Sequence, residues 1–126
     1  MRITLLIAIF CSAMLLSACW QKDVGRSYYP SGKIRTEATV RNGLLDGPST
    51  MYYENGAKMS QANYRAGILN GDTIAYYESG KMKSIATYRD GYLDGVSIQW
   101  DENGVKLAEV KFKDGHVLSN SESVVK

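Results

Sequence analysis

Few side chains in this 126-residue chain are able to do chemistry. His116 is the only histidine, so neither a histidine-based catalytic triad nor a multi-histidine metal site can be assembled. Calcium binding is one interpretation of four turn carboxylates, Asp46, Asp90, Asp94 and Asp114. Each of them precedes a glycine, and the chemistry of Asp-Gly turns accounts for their positions without any ion. We therefore predict no enzyme activity, no bound metal and no cofactor.

Both cysteines lie near the N-terminus, at Cys11 and Cys19. Arg2 is followed by an apolar run that ends in small residues, which is typical of a secretory signal peptide. The run from Ile3 to Leu16 covers roughly 21 Å as a helix, short of the ~30 Å hydrocarbon core of a bilayer. We therefore expect residues 1–18 to be a signal peptide. Its removal takes Cys11 away and leaves a chain without disulfides.

The segment Leu16-Ser17-Ala18-Cys19 resembles the lipobox of bacterial lipoproteins. The resemblance implies cleavage before Cys19 and a lipid anchor on this residue, which would hold the protein at a membrane permanently. An ordinary signal peptide with a chance cysteine is the alternative. Trp20 stands where an aspartate is associated with inner-membrane retention, which favours the outer membrane if the host is diderm. Residues 19–27 are expected to form the lipidated N-terminus and a short linker.

The charge of the mature chain is close to zero. The whole sequence has 15 basic and 13 acidic residues, and removal of Arg2 leaves 14 against 13. The lysines and arginines are scattered among acids, whereas nucleic-acid binding needs them concentrated opposite phosphates. We predict no nucleic-acid partner.

A period of 24 residues runs through the mature chain. It is carried by two sets of four glycines and by several aromatic columns. The glycines are Gly32, Gly56, Gly80 and Gly104, and Gly43, Gly67, Gly91 and Gly115, with Gly47, Gly71 and Gly95 as a shorter third set. The aromatic columns are Tyr28, Tyr52, Tyr76 and Trp100; Tyr29, Tyr53 and Tyr77; and Tyr64, Tyr88 and Phe112. A fixed period of this length indicates four structural repeats.

Each repeat is predicted to contain two strands joined by two kinds of turn. Asn55-Gly56 and Asn103-Gly104 favour a two-residue hairpin loop, and the six residues from Asn42 to Gly47 are expected to form a longer turn. The leucine of that longer turn, Leu45, Leu69 or Leu93, should fold back onto the sheet. We expect an elongated antiparallel β-meander over residues 28–118 and a polar tail over residues 119–126.

Strand register follows if the short loop has two residues. Glu54 would then face Ala57, Tyr53 would face Lys58, and Gly47 would face Tyr64. The same arithmetic pairs Gly71 with Tyr88, Gly95 with Phe112, Tyr29 with Ile34, and Tyr77 with Met82. It also places Asp101 opposite Lys106 as an ion pair. An aromatic ring that covers a cross-strand glycine restores the packing that glycine lacks.

These residues resemble the bacterial variant of the MORN repeat, Y-x-x-G-x-L-x-G followed by Tyr-Tyr-x-x-Gly. The match is carried by Tyr64, Gly67, Leu69, Gly71, Tyr76, Tyr77 and Gly80, and again by Tyr88, Gly91, Leu93, Gly95 and Trp100. The first and last repeats depart from it, as terminal repeats of an array commonly do. The resemblance implies a non-catalytic binding scaffold, and proteins of this kind are often labelled antitoxin components of toxin-antitoxin systems.

A protein partner is predicted to dock on one face of the sheet. Tyr29, Tyr53 and Tyr77 would form a tyrosine stripe with Lys58 and Met82 alongside, and exposed tyrosines are favoured anchors. Tyr52 and Tyr76 would point to the opposite face. Three alternatives stay open: both columns only pack against the sheet, the protein neutralises a toxin, or the aromatic rings bind cell-wall glycan. The glycan interpretation is disfavoured because Trp100 is the single tryptophan among the repeats.

Overall fold

The computed structural model describes residues 22–122, which form a single open antiparallel sheet of eleven strands without any helix. The strands are β1 (Asp23–Tyr28), β2 (Ile34–Arg41), β3 (Leu44–Tyr52), β4 (Lys58–Arg65), β5 (Ile68–Leu69), β6 (Gly71–Tyr76), β7 (Met82–Arg89), β8 (Tyr92–Leu93), β9 (Gly95–Trp100), β10 (Lys106–Lys113) and β11 (His116–Glu122). Consecutive strands are neighbours, with β1 and β11 at the two edges. The short strands β5 and β8 pair with β4 and β7. The predicted all-β meander of four repeats is confirmed.

A two-residue turn closes the hairpin at the position where a longer turn was predicted. Asn42 and Gly43 both have positive φ, 52° and 77°, and Arg41 pairs directly with Leu44. This is the geometry of a type I′ loop, which needs positive φ at both central residues. The same two positions have positive φ in the other repeats, at Ala66-Gly67, Asp90-Gly91 and Asp114-Gly115. The predicted six-residue turn is therefore wrong, and the leucine after it lies in a strand.

The turn at Asn55-Gly56 is longer than predicted. The Tyr53 N–H donates to the Ala57 carbonyl at 2.8 Å, and the Gly56 N–H donates to the Tyr53 carbonyl at 2.9 Å. Gly56 has φ of 90°, whereas Asn55 is not among the positive-φ residues. Its side-chain oxygen instead accepts the Ala57 N–H at 2.8 Å. The loop therefore has three residues, a type I turn followed by a left-handed glycine, because the Asn55 side chain stabilises that turn.

The register near this turn also differs from the prediction. Tyr52, and not Tyr53, pairs with Lys58. In the other repeats the observed pairs are Tyr28 with Ile34, Tyr76 with Met82, and Trp100 with Lys106. Each pair is followed at once by a β-bulge, which restores the predicted pairs of Gly47 with Tyr64, Gly71 with Tyr88, and Gly95 with Phe112. The extra loop residue shifts the register by one position, and the bulge shifts it back. The predicted register is therefore right beyond the bulge and wrong between the bulge and the turn.

The predicted ion pair in the last repeat is absent from the described residues 22–122. Lys106 Nζ lies 2.8 Å from a carboxylate oxygen of Glu109 instead. The Asp101 carboxylate accepts the backbone N–H groups of Asn103 and Val105, at 2.9 and 2.8 Å. Asp101 therefore caps its own turn, as a short acidic side chain at a turn commonly does.

The strands extend beyond the predicted 28–118 repeat domain at both ends. Strand β1 occupies most of the segment 19–27 that was predicted to be a linker, and β11 continues through residues 119–122 of the predicted tail. Backbone groups pair with a neighbouring strand whether or not the side chains fit the repeat pattern, which is why the pattern underestimates the sheet. The predicted signal peptide at 1–18 and the lipidation site Cys19 lie outside the described residues.

The sheet has a single layer and almost no buried core. Ala38 is the only buried hydrophobic residue among those described, with 9% of its surface exposed. Leu69 and Leu93 are half-buried and pair across strands with Tyr64 and Tyr88, so they contact the sheet as strand residues and not from a turn as predicted. Cross-strand pairs of this kind, each contributing roughly 0.2–1 kcal/mol, must supply stability that a two-layer domain takes from its core.

Two glycines near the starts of strands, Gly47 and Gly95, could not be replaced by another residue without backbone strain. Gly47 and Gly95 have φ of 129° and 137°, outside the region that other residues tolerate. A Cβ atom at Gly95 would lie 3.1 Å from the Thr87 Cβ, and one at Gly47 would lie 3.2 Å from the Thr39 Cβ. Gly47 and Gly95 also pair with Tyr64 and Phe112 on the following strands, so each glycine is enclosed by a residue on either side.

Replacing Ala66 by asparagine is expected to stabilise the fold. Ala66 has φ of 49°, and Asn42, Asp90 and Asp114 occupy the equivalent turn positions in the other repeats. Asparagine adopts left-handed geometry at lower cost than alanine, so we expect a gain of about 0.5–1 kcal/mol. Thermal unfolding measures it as a melting temperature a few degrees higher. An unchanged or lower melting temperature would contradict the type I′ assignment.

Candidate functional site

Three tyrosines that were predicted to bind a partner also join neighbouring repeats. The hydroxyl of Tyr29 donates to the backbone carbonyl of Tyr52 at 2.7 Å. The hydroxyl of Tyr53 donates to the carbonyl of Tyr76 at 2.8 Å, and that of Tyr77 to the carbonyl of Trp100 at 2.9 Å. Each bond spans 23 residues and is partly buried, so the tyrosines connect each repeat to the next. Sequence analysis did not predict this structural role.

The rings of two of these tyrosines are also approached by cations. The Arg35 guanidinium carbon lies 5.9 Å from the centroid of the Tyr29 ring, and the Lys83 ammonium lies 5.5 Å from that of Tyr77. Both distances are within the range of cation–π attraction. Their role in partner binding stays a prediction, but their hydroxyls, and the ring faces of Tyr29 and Tyr77, already have partners within the chain.

Lys58 and Met82 do not lie beside this tyrosine stripe. Lys58 pairs across strands with Tyr52, and Met82 pairs with Tyr76. Directly paired residues point to the same face of a sheet, so both side chains lie on the face of Tyr52 and Tyr76. This corrects the predicted grouping, and the cause is the one-residue register difference at the three-residue turn.

The structure brings together a different set of residues, which we call the aromatic row. It consists of four cross-strand pairs on one face of the sheet: Tyr28 with Ile34, Tyr52 with Lys58, Tyr76 with Met82, and Trp100 with Lys106. Successive rings are two strands apart, about 9.6 Å. Tyr28 is 57% exposed, Met82 is 40% exposed, and Tyr52, Tyr76 and Trp100 are half-buried.

Aliphatic side chains border the aromatic row on the same face. Ile74, Ile85 and Ile98 lie side by side on β6, β7 and β9 and are half-buried. The hydroxyl of Tyr76 donates to the Gln61 side chain at 3.0 Å, which fixes the orientation of that ring. Within residues 22–122 no second layer of secondary structure covers this face.

Lysines at the three-residue turns form a second set of contacts between repeats, which we call the turn ladder. Lys33 Nζ donates to the Glu54 carbonyl at 2.8 Å, and Lys81 Nζ donates to the Glu102 carbonyl at 2.9 Å. The intervening repeat carries Ala57 at the lysine position. There the Asn55 side-chain amide approaches the Glu78 carbonyl at 3.4 Å.

The turn carboxylates that allowed a calcium interpretation are paired with basic side chains. Their contacts are Asp46 with Arg41 at 3.0 Å, Asp90 with Arg65 at 2.6 Å, Asp94 with Lys113 at 2.8 Å, and Asp114 with Lys113 at 3.8 Å. The hydrogen bond from Lys113, helped by the charge of Arg89, holds the pKa of Asp94 below its usual value. Among the described residues, no group of three or more histidine, cysteine or acidic side chains is placed to hold a metal ion. The same residues contain no helix that could cross a bilayer.

The geometry agrees with a known repeat family. The family model of the MORN repeat variant matches residues 24–42, 45–66, 69–90 and 93–114. The chain belongs to this family. The first matched segment begins at residue 24, within β1, which shows that the repeat pattern starts before the predicted boundary at residue 28.

Comparison with individual proteins adds little to the family assignment. No curated protein matches the sequence. Among solved structures, the MORN-repeat sheet is similar to accessory secretory protein 1, 2 and 3 of Streptococcus pneumoniae, with 18% sequence identity and a TM-score of 0.43. That match covers 76% of this chain and 18% of the other chain. A likeness this weak carries no argument about function.

One column of the MORN repeats contained the signal for the tyrosine bridges. The second tyrosine of the Tyr-Tyr pair recurs as Tyr29, Tyr53 and Tyr77, and becomes Asp101 in the last repeat. The lysine column behaves similarly, with Val105 in the last repeat. The tyrosine changes only at the turn that is followed by no further matched repeat, which indicates that its role is to reach the next repeat. The lysine is lost there and also at Ala57 in the second repeat.

Removing the Tyr53 hydroxyl should therefore lower stability. Tyr53→Phe deletes a partly buried hydrogen bond to the next repeat, and we expect a loss of about 1 kcal/mol. Urea unfolding measures this loss as a lower midpoint, and the slope of the unfolding free energy against urea concentration should stay unchanged. The matched control is Tyr52→Phe, since the Tyr52 hydroxyl makes no hydrogen bond within residues 22–122, and a change within ~0.5 kcal/mol is expected. Equal losses in both variants would show that the hydroxyl bond does not couple the repeats.

Proposed function

We propose that this protein is a lipid-anchored scaffold of the bacterial cell envelope, and that its aromatic row binds another protein. The observation that carries the proposal is the row itself: four aromatic rings in cross-strand pairs on one face of a single-layer sheet. Tyrosine, tryptophan and methionine are enriched at the centres of protein interfaces. Two members of the row, Lys58 and Lys106, add polar groups beside the aromatic rings.

The spacing of the row suits an extended partner surface. The eight residues of the row cross from β1 to β10, which is seven inter-strand steps of ~4.8 Å, or about 34 Å. A rigid sheet that already orders these rings loses little conformational entropy on binding. Tyr52, Tyr76 and Trp100 are half-buried, so part of each residue remains accessible to a partner.

The face opposite the aromatic row is less suited to this role. Its central part, between the Gly47–Tyr64 pair and the three-residue turns, holds mainly small residues such as Ser49, Ala62 and Ala75. Small side chains offer little apolar area for a partner to bury. The tyrosine stripe at Tyr29, Tyr53 and Tyr77 uses its hydroxyls within the sheet. The aromatic row is therefore the better candidate.

The proposed anchor would hold the sheet close to the membrane. Strand β1 begins at Asp23, four positions after Cys19. Four residues span at most ~14 Å even when fully extended. A lipid on Cys19 would thus keep the β1 edge at the bilayer surface, while β11 lies eight inter-strand steps, or ~38 Å, across the sheet. The lipobox resemblance and Trp20 support an outer-membrane position in a diderm host.

Photo-crosslinking in the native host tests the binding face. Ile34 and Met51 are both 37% exposed but lie on opposite faces of the sheet. A benzophenone amino acid at Ile34 should give a discrete crosslinked adduct because it lies in the aromatic row, and the same group at Met51 should not. Mass spectrometry identifies the adduct. Adducts formed only from Met51 would place the partner on the other face, and adducts from neither position would leave the sheet without a protein partner.

The identity of the crosslinked partner also tests whether the protein neutralises a toxin, the role that the family resemblance implies. A toxin encoded beside this gene and crosslinked through Ile34 would make the protein an antitoxin or immunity protein. A crosslink to an envelope protein would make it an assembly scaffold. Crosslinks to glycan strands would favour cell-wall binding.

Cys19→Ser tests the anchor. The substitution removes the sulfur that would carry the diacylglycerol, while the repeats stay intact. We expect the wild-type protein to partition into detergent with a lipid-modified N-terminus, and the variant to be soluble or uncleaved. Detergent phase separation and intact mass report both outcomes. A wild-type protein with a free Cys19 thiol would overturn the proposed localisation.

A further inference from the structure

The turn ladder is interrupted at one place. In the first and third repeats a lysine ammonium binds the carbonyl of the next turn, at 2.8 Å for Lys33 and 2.9 Å for Lys81. In the second repeat this position is Ala57, and the equivalent acceptor is the Glu78 carbonyl. That carbonyl receives only the Asn55 amide at 3.4 Å, which is long for an N–H···O bond.

An open surface depression adjoins Ala57, the residue that stands at the lysine position, and we call it the Ala57 notch. It has a volume of about 280 Å³ and is lined by Ala57, Lys58, Tyr76 and Gly80. Ala57 and Gly80 contribute no long side chain, so Lys58 and Tyr76 form its walls. At the equivalent position of the first and third repeats, Lys33 and Lys81 each donate to the carbonyl of the next turn.

The chemistry of the notch matches a primary ammonium on an unbranched aliphatic stem. The stem would lie between the ring of Tyr76 and the aliphatic part of Lys58, and the ammonium would reach the Glu78 carbonyl. The carboxylates of Glu54 and Glu78 are exposed on the two adjacent turns and favour a cation there. Lys58 makes no ion pair within the described part of the chain, and its long side chain can direct its own charge to solvent.

We propose that the Ala57 notch binds a lysine side chain of the partner protein, which completes the turn ladder between the second and third repeats. The notch is continuous with the aromatic row, because Lys58 and Tyr76 belong to both. A partner lying on the row can therefore insert a lysine at its margin. This inference rests on the proposed function and adds the chemical identity of one partner residue.

The first test uses a small probe with the mature lipidated protein in detergent micelles. The probe is Nα-acetyl-lysine methylamide, and its uncharged counterpart is Nα-acetyl-norleucine methylamide. Amide chemical shifts of Ala57 and Gly80 should move and saturate with the lysine probe. The norleucine probe should bind at least about tenfold more weakly, since it lacks the charged hydrogen bond to the Glu78 carbonyl. Equal binding of the two probes, or no shift with either, would overturn the inference.

The second test restores the missing lysine. Ala57→Lys should raise the melting temperature and abolish the shifts caused by the lysine probe, because its own ammonium occupies the notch. Asn103→Lys adds the same charge to the last turn and should leave probe binding unchanged. Probe binding that persists in Ala57→Lys would show that the probe sits elsewhere.

The two proposals can fail separately. A crosslink at Ile34 with no lysine-probe binding would reject the notch and keep the partner. Lysine-probe binding without any crosslink would reject the protein partner and keep the notch as an ammonium site.

Discussion

The lack of a buried core within residues 22–122 is the constraint on which this structure depends, because stability must come from contacts between neighbouring strands and repeats. Ala38 is the only buried hydrophobic residue in the described range 22–122, so no central core holds the strands together. Tyr29, Tyr53 and Tyr77 supply hydroxyls that bind carbonyl groups 23 residues further along the chain. Stability then becomes a sum of contacts between neighbouring repeats, as in other linear arrays.

The two tyrosine columns make different contacts within the sheet. The stripe of Tyr29, Tyr53 and Tyr77 bonds to the backbone of the following repeat. In the adjacent column of Tyr52, Tyr76 and Trp100, Tyr76 bonds to the Gln61 side chain of the preceding repeat. Two tyrosines that are neighbours in sequence therefore have different roles. The first ring of each pair lies in the aromatic row, and the second binds the following repeat. The last repeat needs only the first role, and Asp101 replaces the second tyrosine there.

Much of the fold could be predicted from the sequence, because the 24-residue period shows in glycines and aromatic residues at once. The pairs of Gly47 with Tyr64 and Gly71 with Tyr88 followed from that period. The turn types did not, since Asn-Gly occurs at both turns, as Asn42-Gly43 and as Asn55-Gly56, and the dipeptide alone does not set the loop length. The role of the Tyr53 hydroxyl was also hidden, because its acceptor is a backbone carbonyl that leaves no mark on the side-chain pattern. The site prediction therefore chose the wrong neighbours for Lys58 and Met82.

Methionine oxidation offers the most direct test that the aromatic row is covered in the cell. Met82 lies in the row and is 40% exposed, while Met51 lies on the opposite face and is 37% exposed. Intact envelopes and the purified protein would each be treated briefly with hydroxyl radicals, and the sulfoxide at each methionine measured by mass spectrometry. The account predicts that Met82 is oxidised less in envelopes than in the purified protein, and that Met51 is oxidised equally in both. Protection of Met51 with Met82 unchanged, or equal oxidation of Met82 in the two preparations, would contradict it.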